Sequence, residues 1–128
     1  MIEVELAKII IDEKRHDQAV VLREKKGTRQ VPIMIGIVEA SSIQMKIANM
    51  EPPRPLTHDL LAEIIKSFGA SLERVVIDDI IEGTFYAKLH LRDRQNNAMI
   101  LDCRPSDGIS LAIRLSSPMF VEDKILSQ

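Results

Sequence analysis

The chain has 128 residues, 45% of them hydrophobic, which is enough for one compact core and too few for two comfortable domains. Lysine and arginine total 17 against 19 aspartate and glutamate, so the net charge of -2 excludes a global basic field that would attract nucleic acid. The aromatic content of 3%, with no tryptophan, argues against the stacking platforms of single-strand binding proteins. We therefore expect a single domain over residues 1–128, in which any polyanion is bound by a local patch.

The cellular compartment is inferred from the cysteine content and the first residues. The single cysteine, Cys103, cannot form a disulfide within the chain, and residues 1–20 lack the pattern of a secretory signal peptide. The longest apolar runs span only a few residues, far below the roughly 20 that cross a membrane. We expect a cytoplasmic protein with no membrane partner.

Three strands are predicted in the first part of the chain. Apolar and acidic residues alternate over residues 2–6, with the period of two that is typical of a half-buried strand. The polar segment 12–17 interrupts this pattern, which resumes over residues 19–24, and an apolar run follows over residues 31–36. These segments predict an antiparallel meander.

Two helices are predicted next. A first helix over residues 37–50 carries a stripe that we expect to be buried, formed by Ala40, Ile43, Ile47 and Met50. Glu39, Ser42 and Lys46 are assigned to its solvent face. Prolines over residues 51–55 end this helix, because proline lacks the amide donor. A second helix over residues 57–68 is predicted to end at Gly69 and to bury Leu61, Ile64, Ile65 and Phe68.

The second half of the chain returns to strands. Residues 72–81 and 84–92 are predicted as strands joined by the hairpin signal Glu82-Gly83, and residues 98–103 as another. A third helix over residues 106–115 follows, then a short strand and a last helical turn. The order predicts an α+β fold with a mostly antiparallel sheet and two central helices. Because residues 72–81 are apolar on both faces, a homodimer interface is a plausible second cover.

A short motif occurs twice, as RPLTHD over residues 54–59 and as RPSD over residues 104–107. Each copy places Arg-Pro, a hydroxyl residue and an aspartate at the start of a predicted helix. The hydroxyl residues are predicted as helix N-caps, and the aspartates lie in the first turn, where the helix dipole favours a carboxylate. The hydroxyl residues, which we also assign to substrate binding, are Thr57 and Ser106.

Capping leaves the arginines of the two motifs unexplained. Arg54 and Arg104 either form ion pairs with a neighbouring element or subunit, or bind phosphate oxygens. A phosphate beside these first turns would be repelled by their carboxylates unless a cation intervened. This favours a divalent metal, Mg²⁺ or Mn²⁺, held by Asp59 and Asp107, with the arginines on the phosphate and His58 as a base or ligand.

Other polar residues are weaker candidates. Glu39 is either a solvated residue or a third carboxylate of the metal set. Lys88, His90 and Arg92 share the polar face of one predicted strand, where they are either solvated or form a basic track for nucleic acid. Cys103 follows an apolar strand and is expected to be an inert, buried thiol.

Four stretches of the chain resemble the bifunctional nuclease domain family in their order and spacing over about residues 30–121. They are VPIMIGIVEASSI, PRPLTHDLL, VVIDDIIEGTFYAKLHL and DCRPSDGISLAIR. The resemblance implies an intracellular α+β domain that is often oligomeric, with members that degrade both RNA and DNA. Gly108 stands where many members of the family have alanine, and a glycine so near the start of its helix is expected to cost little.

The sequence and this resemblance lead to two hypotheses. The first is a metal-dependent nuclease with little sequence preference, whose catalytic residues are Arg54, His58, Asp59, Arg104 and Asp107. The second is a non-enzymatic oligomeric module for binding or regulation, with a homodimer favoured, in which the same motifs only stabilise the fold.

Overall fold

The computed structural model describes residues 1–12, 14–15 and 17–126, and it confirms the α+β prediction. The strands are β1 Ile2–Asp12, β2 Asp17–Glu24, β3 Gln30–Ile35, β4 Ser71–Ile81, β5 Thr84–Arg92, β6 Ala98–Cys103 and β7 Met119–Val121. The helices are α1 Ile37–Ile47, α2 Thr57–Ser67, α3 Pro105–Leu115 and α4 Asp123–Leu126. Two residues of the predicted polar break, at positions 13 and 16, lie outside the described residues. Among the described helices, none has the length and apolar character needed to cross a membrane.

All seven described strands form one sheet in the order β3-β2-β1-β7-β4-β5-β6. The two meanders β1–β3 and β4–β6 are antiparallel, as predicted. The short strand β7 joins them, because it pairs antiparallel with β1 and parallel with β4. Among the described elements, every strand and helix except β6 contributes a buried residue to one hydrophobic cluster.

The turn signals of the sequence are confirmed. Glu82 and Gly83 both have positive φ angles, of 50° and 80°, which is the backbone of a tight hairpin turn whose twist matches the flanking strands. Gly69 follows α2 with a φ of 73°, so it provides the left-handed residue that ends many helices.

The buried face of α1 differs from the prediction in two ways. Ala40 and Ile43 are fully buried as expected, but α1 ends at Ile47, and Ile47 and Met50 are exposed. Ser42, which was assigned to the solvent face, is buried at 7% exposure. Its hydroxyl faces polar groups of α2 and α3, so a polar contact between helices replaces part of the expected apolar stripe.

The predicted apolar face of α2 is wrong for three of its four residues, while Ile65 packs partly buried against the core. The buried residues of α2 are His58 and Ala62, whereas Leu61, Ile64 and Phe68 are 38%, 43% and 75% exposed. The small side chain of Ala62 gives α2 a narrow contact strip toward α3 and β4, and the larger residues lie outside it. Both faces of β4 are covered within the chain itself. Consecutive strand residues point to opposite faces, and Val75, Val76 and Ile77 are all buried.

Candidate functional site

The amino-terminal ends of α1, α2 and α3 converge, and each carries an acidic residue in its first turn. The acids are Glu39, Asp59 and Asp107, each three residues after the N-cap residue of its helix. In α2 and α3 the aspartate accepts a hydrogen bond from the backbone amide of the N-cap residue, at 2.9 Å in α2 and 3.3 Å in α3. The carboxylates therefore satisfy amides that a helix start leaves free.

The predicted N-caps are wrong. Leu56 and Arg104 are the N-cap residues, with extended backbones, and Thr57 and Ser106 already lie inside the first helical turn. In α3, Pro105 explains the difference, because proline favours the first helical position and holds the residue before it in an extended conformation. The aspartates of the two motifs, rather than the hydroxyl residues, form the caps.

Arg104 holds two of the three acids together. Its Nε and Nη2 donate to the two oxygens of Asp107 at 3.0 and 2.9 Å, and its Nη1 donates to Glu39 Oε1 at 2.9 Å. The contact with Asp107 is therefore a two-point guanidinium–carboxylate pair, which fixes the orientation of both groups. The start of α3 is tied to the start of α1 by this one side chain.

His58 lies between all three helices. Its Nε2 is 3.1 Å from Asp107 Oδ1, and its Nδ1 is 3.1 Å from Ser42 Oγ. The Asp107 carboxylate is ionised at neutral pH and can only accept, so neutral His58 carries its proton on Nε2 and presents Nδ1 as an acceptor. The imidazole, which belongs to the first Arg-Pro motif, thus brings the two motifs into one hydrogen-bonded network.

Arg114, near the end of α3, completes the network from the inside. Its side chain is 5% exposed, and its Nε donates to Asp59 Oδ1 at 2.7 Å. Its Nη2 donates to Ser42 Oγ at 3.0 Å, and its Nη1 donates to the Ser110 hydroxyl. The guanidinium of Arg114 therefore neutralises the aspartate of the first motif and connects α3 with α1 and α2.

The electrostatics of the acids follow from these contacts. Burial raises the pKa of Asp107, but the hydrogen bonds from Arg104 and His58 outweigh it, and the net result is a lowered pKa. Burial also raises the pKa of Asp59. The hydrogen bonds from Arg114 and the Leu56 amide outweigh this effect, so the net result is again a lowered pKa. The pKa of Glu39 is lowered by its own backbone amide and by Arg104. All three acids are therefore charged at neutral pH.

A cavity of about 450 Å³ opens where the three helix starts meet. Its polar lining includes Glu39, Ser42, His58, Arg104 and Asp107, and its apolar lining comes mainly from α1 and α2. Thr57 also lines this cavity. The cavity therefore combines an acceptor nitrogen, a guanidinium and helix amino termini, which attract an anion, with two carboxylates, which oppose it.

Several predicted site residues lie elsewhere. Arg54 is exposed on the connection before α2, and the described contacts give it no ion pair. Ser106 is buried and lines a separate cavity between the end of β3 and the β4–β5 turn. Lys88 pairs with Asp78 and Asp102, and Arg92 pairs with Glu73. Because buried Ala87, Leu89 and Leu91 alternate with them, Lys88 and Arg92 lie on the face of β5 away from the core.

The predicted metal set does not come together as a ligand group. Glu39 and Asp107 both face the guanidinium of Arg104, whereas Asp59 faces that of Arg114. Within residues 1–12, 14–15 and 17–126, no group of three or more histidine, cysteine and acidic side chains is arranged to hold a metal ion. The residues as placed therefore do not fit a bound metal, and metal dependence stays a prediction.

Ser42, Ser110 and Arg114 belong to this network but were not predicted as site residues from the sequence. Ser110 and Arg114 lie one helical turn apart on α3, and a serine–arginine pair at that spacing inside an apolar helix is a polar stripe that points inward. This polar stripe could have been recognised in the sequence. Its burial could not, because the residues that contact it lie on α1 and α2.

Two further expectations concern residues near the start of α3. At Gly108 a glycine does more than avoid a helix-propensity cost, because a Cβ atom there would lie 2.6 Å from Cγ1 of Val75 on β4. The glycine is required by this close approach of helix and strand. Burial, followed by the nearby charges of Asp107 and Asp102, raises the pKa of Cys103 to about 12, so its thiol is protonated at neutral pH.

This α+β domain, with an acid–base and guanidinium cavity at three helix starts, is similar to known proteins over nearly its whole length. The family model of the bifunctional nuclease domain matches residues 20–128, and the chain belongs to this family. An uncharacterized protein of Mycobacterium tuberculosis is 41% identical over 126 residues, covering 98% of this chain and 74% of that protein. The similarity therefore extends beyond the two motifs to the first strand.

Plant relatives are more distant and longer. Bifunctional nuclease 1 of Oryza sativa subsp. japonica is 28% identical over 111 residues, which cover 84% of this chain and 33% of the rice protein. Bifunctional nuclease 1 of Arabidopsis thaliana is 26% identical over 106 residues, covering 80% and 33%. The chain thus spans about a third of the length of these plant proteins, and it shares with them the domain rather than their full architecture.

Proposed function

We propose that the protein is a nuclease that hydrolyses phosphodiester bonds of RNA and DNA with little sequence preference. The observation that carries the proposal is the position of His58, which has one defined acceptor nitrogen and lines a cavity together with Arg104 and the starts of three helices. Membership of the bifunctional nuclease domain family and the names of the plant relatives support this choice of substrate.

His58 is suited to remove a proton during phosphodiester hydrolysis. Asp107 accepts a hydrogen bond from Nε2–H, so the neutral ring has one defined tautomer in which Nδ1 carries the lone pair of a base. Asp107 also stabilises the imidazolium that forms once the proton has been taken up. Its own orientation is fixed by Arg104, so the three side chains act as one unit.

The positive charges of the site would bind the phosphate. Glu39 and Asp107 outnumber Arg104 among the charged residues that line the cavity, but each helix start adds roughly half a positive charge. Exposed Arg54, on the connection leading into α2, is a cation that an incoming strand could contact. Contacts of this kind recognise phosphate rather than base edges, which accounts for little sequence preference.

A cleavage assay with matched histidine variants tests this proposal. The full chain is incubated with labelled single-stranded RNA and DNA, and rates are compared for the wild type, His58→Gln and His90→Gln. We expect His58→Gln to lower the rate on the order of 100-fold or more, because it lacks the base. His90 lies on the outer face of β5, so its variant should cleave at the wild-type rate. Equal rates for both variants would contradict the role of His58, and no cleavage by the wild type would contradict the proposed function.

The role of a divalent metal is tested in the same assay. If Mg²⁺ or Mn²⁺ is required, EDTA abolishes cleavage and either ion restores it, with Glu39, Asp59 and Asp107 as the predicted ligands. Undiminished cleavage in EDTA would remove the metal from the proposal. It would leave proton transfer by His58 as the chemistry of the site.

One observation favours the alternative, a non-enzymatic module for binding or regulation. Glu39, Asp59 and Asp107 are all engaged in ion pairs or helix caps, as a purely stabilising role requires. Alanine at Asp59 and Asp107 separates the two hypotheses. The nuclease hypothesis expects lost cleavage with a modest change in melting temperature, and the alternative expects lost stability or assembly with no effect on any residual cleavage.

We also propose that the chain forms a homodimer through β6. This strand ends the sheet, and it exposes Met99, Ile100 and Leu101 at 43%, 60% and 47%. The other edge strand, β3, contains Pro32, a residue that discourages edge pairing, but residues 98–101 of β6 contain neither proline nor charge. Antiparallel pairing with a second copy would place Asp102 of each strand near Arg94, in the turn before β6 of the other.

Sedimentation velocity tests this assembly. Ile100→Lys is expected to produce monomers, because the new charges face each other across the two-fold axis, whereas Phe68→Lys, at the exposed residue directly after α2, keeps the dimer. A monomeric wild type, or a dimer that survives Ile100→Lys and dissociates with Phe68→Lys, contradicts the β6 interface.

A further inference from the structure

Ser42 is the group that faces the acceptor nitrogen of His58. Its Oγ lies 3.1 Å from His58 Nδ1, and both side chains line the cavity of about 450 Å³. The other ring nitrogen is taken by Asp107. Among the described residues, the Ser42 hydroxyl is therefore the side-chain donor that can transfer a proton to His58 Nδ1.

A base acts first on the proton that it already contacts. In the neutral tautomer fixed by Asp107, the Ser42 hydroxyl donates to Nδ1, so proton transfer would generate an alkoxide on Ser42. A water molecule could be activated only after it displaced this serine. The geometry has the roles of a serine–histidine–aspartate triad with the two ring nitrogens exchanged, and such triads are recognised by geometry rather than by sequence order.

Arg114 lies where it would stabilise that alkoxide. Its Nη2 donates to Ser42 Oγ at 3.0 Å, and its Nε is anchored by Asp59 at 2.7 Å. The guanidinium is almost fully buried at 5% exposure, so little solvent screens its charge. Asp59 thereby positions Arg114, and this gives the aspartate of the first motif a function through another side chain.

We propose that Ser42 is the nucleophile of the nuclease and forms a covalent phosphoserine intermediate, an inference that rests on the proposed function. Ser42 Oγ attacks phosphorus while its proton passes to His58 Nδ1. The bond from phosphorus to the leaving nucleotide oxygen breaks, and that oxygen takes the proton from His58. Water then attacks the phosphoserine and gives a proton to His58, the Oγ–phosphorus bond breaks, and Ser42 recovers its proton. The products are one hydroxyl end and one phosphate end.

The nucleophile is tested first without nucleic acid. Diisopropyl fluorophosphate reacts with an activated serine, forming an Oγ–phosphorus bond and releasing fluoride. Tandem mass spectrometry of the treated wild type should place the adduct on Ser42 rather than on its neighbour Ser41, and His58→Gln should lose it. Absence of an adduct on Ser42 overturns the proposal.

Cleavage of single-stranded DNA gives the second measurement. Ser42→Ala should lower the rate on the order of 100-fold or more, while Ser71→Ala, at the exposed start of β4, cleaves like the wild type. Melting temperatures establish that the variants are folded. If Ser42→Ala is unfolded, Ser42→Cys keeps a nucleophile in the same place and is expected to fold. Its new thiol should be alkylated by iodoacetamide faster than that of Cys103, whose pKa is raised to about 12, and a thiol at position 42 that reacts no faster overturns the proposal.

The two proposals fail in different ways. A folded Ser42→Ala that cleaves at the wild-type rate overturns the nucleophile and leaves the nuclease in place. An adduct on Ser42 in a wild type that cleaves neither RNA nor DNA overturns the nuclease and leaves a reactive serine whose substrate is another ester.

Discussion

The two Arg-Pro motifs look alike in the sequence and act differently in the structure. In the second motif, Arg104 is the N-cap residue of α3 and binds Asp107 three residues later. In the first, Arg54 stands two residues before the N-cap and makes no described ion pair, and Asp59 receives its guanidinium from Arg114 on another helix. The aspartates keep equivalent positions, whereas the arginines do not.

The difference comes from the number of residues between proline and the helix start. Pro105 is the first residue of α3, but Pro55 precedes the N-cap of α2, because two additional residues lie between Arg54 and Asp59. In the second motif the arginine is therefore close enough to fold back over its own helix. In the first motif the spacing directs it into solvent, and the helix depends on a partner from elsewhere.

The largest expected effect tests this dependence. Arg114→Ala should lower the free energy of unfolding by roughly 3 kcal/mol, because it removes one partner of a largely buried pair and leaves Asp59 without its guanidinium. Arg54→Ala should change it by less than about 0.5 kcal/mol, as expected for an exposed residue. Urea unfolding followed by far-UV circular dichroism measures both. Equal losses would show that Arg54 supports the first motif after all.

The next effect concerns the residue that follows the motif aspartate in each helix, which is closely packed in α3 and exposed in α2. Gly108→Ala should cost about 1–3 kcal/mol, because the new methyl group overlaps Val75. The residue at the equivalent position of α2 is Leu60, which is 54% exposed, so Leu60→Ala should stay within about 0.5 kcal/mol. A double variant with Val75→Ala should recover part of the Gly108→Ala loss in the same unfolding measurement. A loss that is purely additive would contradict the overlap.

A smaller effect separates the two guanidiniums. Arg104 is 63% exposed, so Arg104→Ala should cost at most about 1 kcal/mol despite its three contacts. Melting temperatures at low and high salt provide the check. The Arg104 effect should shrink as salt rises, since the pair is open to solvent, and the Arg114 effect should persist. The reverse salt dependence would mean that the exposed pair is the stronger support.

The smallest effect lies in the pH dependence of stability. Asp59 and Asp107 both have lowered pKa values when folded, so they stabilise the protein above their unfolded pKa of about 4, and this stabilisation is lost as the pH falls through the folded pKa. The contribution of these two acids to the free energy of unfolding should change little between pH 7 and 5 and fall below that range. Asp59→Asn and Asp107→Asn should each flatten the acid limb in urea titrations at several pH values. An unchanged limb in both variants would contradict the lowered pKa values.

Most of the fold was predictable because each element carries a local signal. The alternation in β1 and β5, the tight turn at Glu82-Gly83 and the glycine after α2 all depend on residues near one another in the chain. What failed was burial on α1 and α2. The sequence shows that Leu61, Ile64 and Phe68 are apolar, but whether another element covers them is decided by tertiary packing.

The candidate site was predictable only in part, for the same reason. The motifs identified His58 and Asp107, and the structure brings them to 3.1 Å. Ser42 and Arg114 were missed because their importance arises where three helices meet, and a buried serine on an otherwise apolar stripe has the same local pattern as one in solvent. The N-caps failed on a rule of backbone geometry, since Pro105 starts its helix before Ser106 can cap it.

The three-residue strand β7 has a consequence for how the chain acquires its fold. It lies between β1 and β4 in the sheet. Along the chain, β7 is much farther from β1 than from β4. Neither meander can join the other until residues 119–121 have left the ribosome, so both carry an open edge during synthesis. Pairing over such long sequence separations slows folding. We therefore expect the nascent chain to remain vulnerable to aggregation until β7 pairs with both β1 and β4.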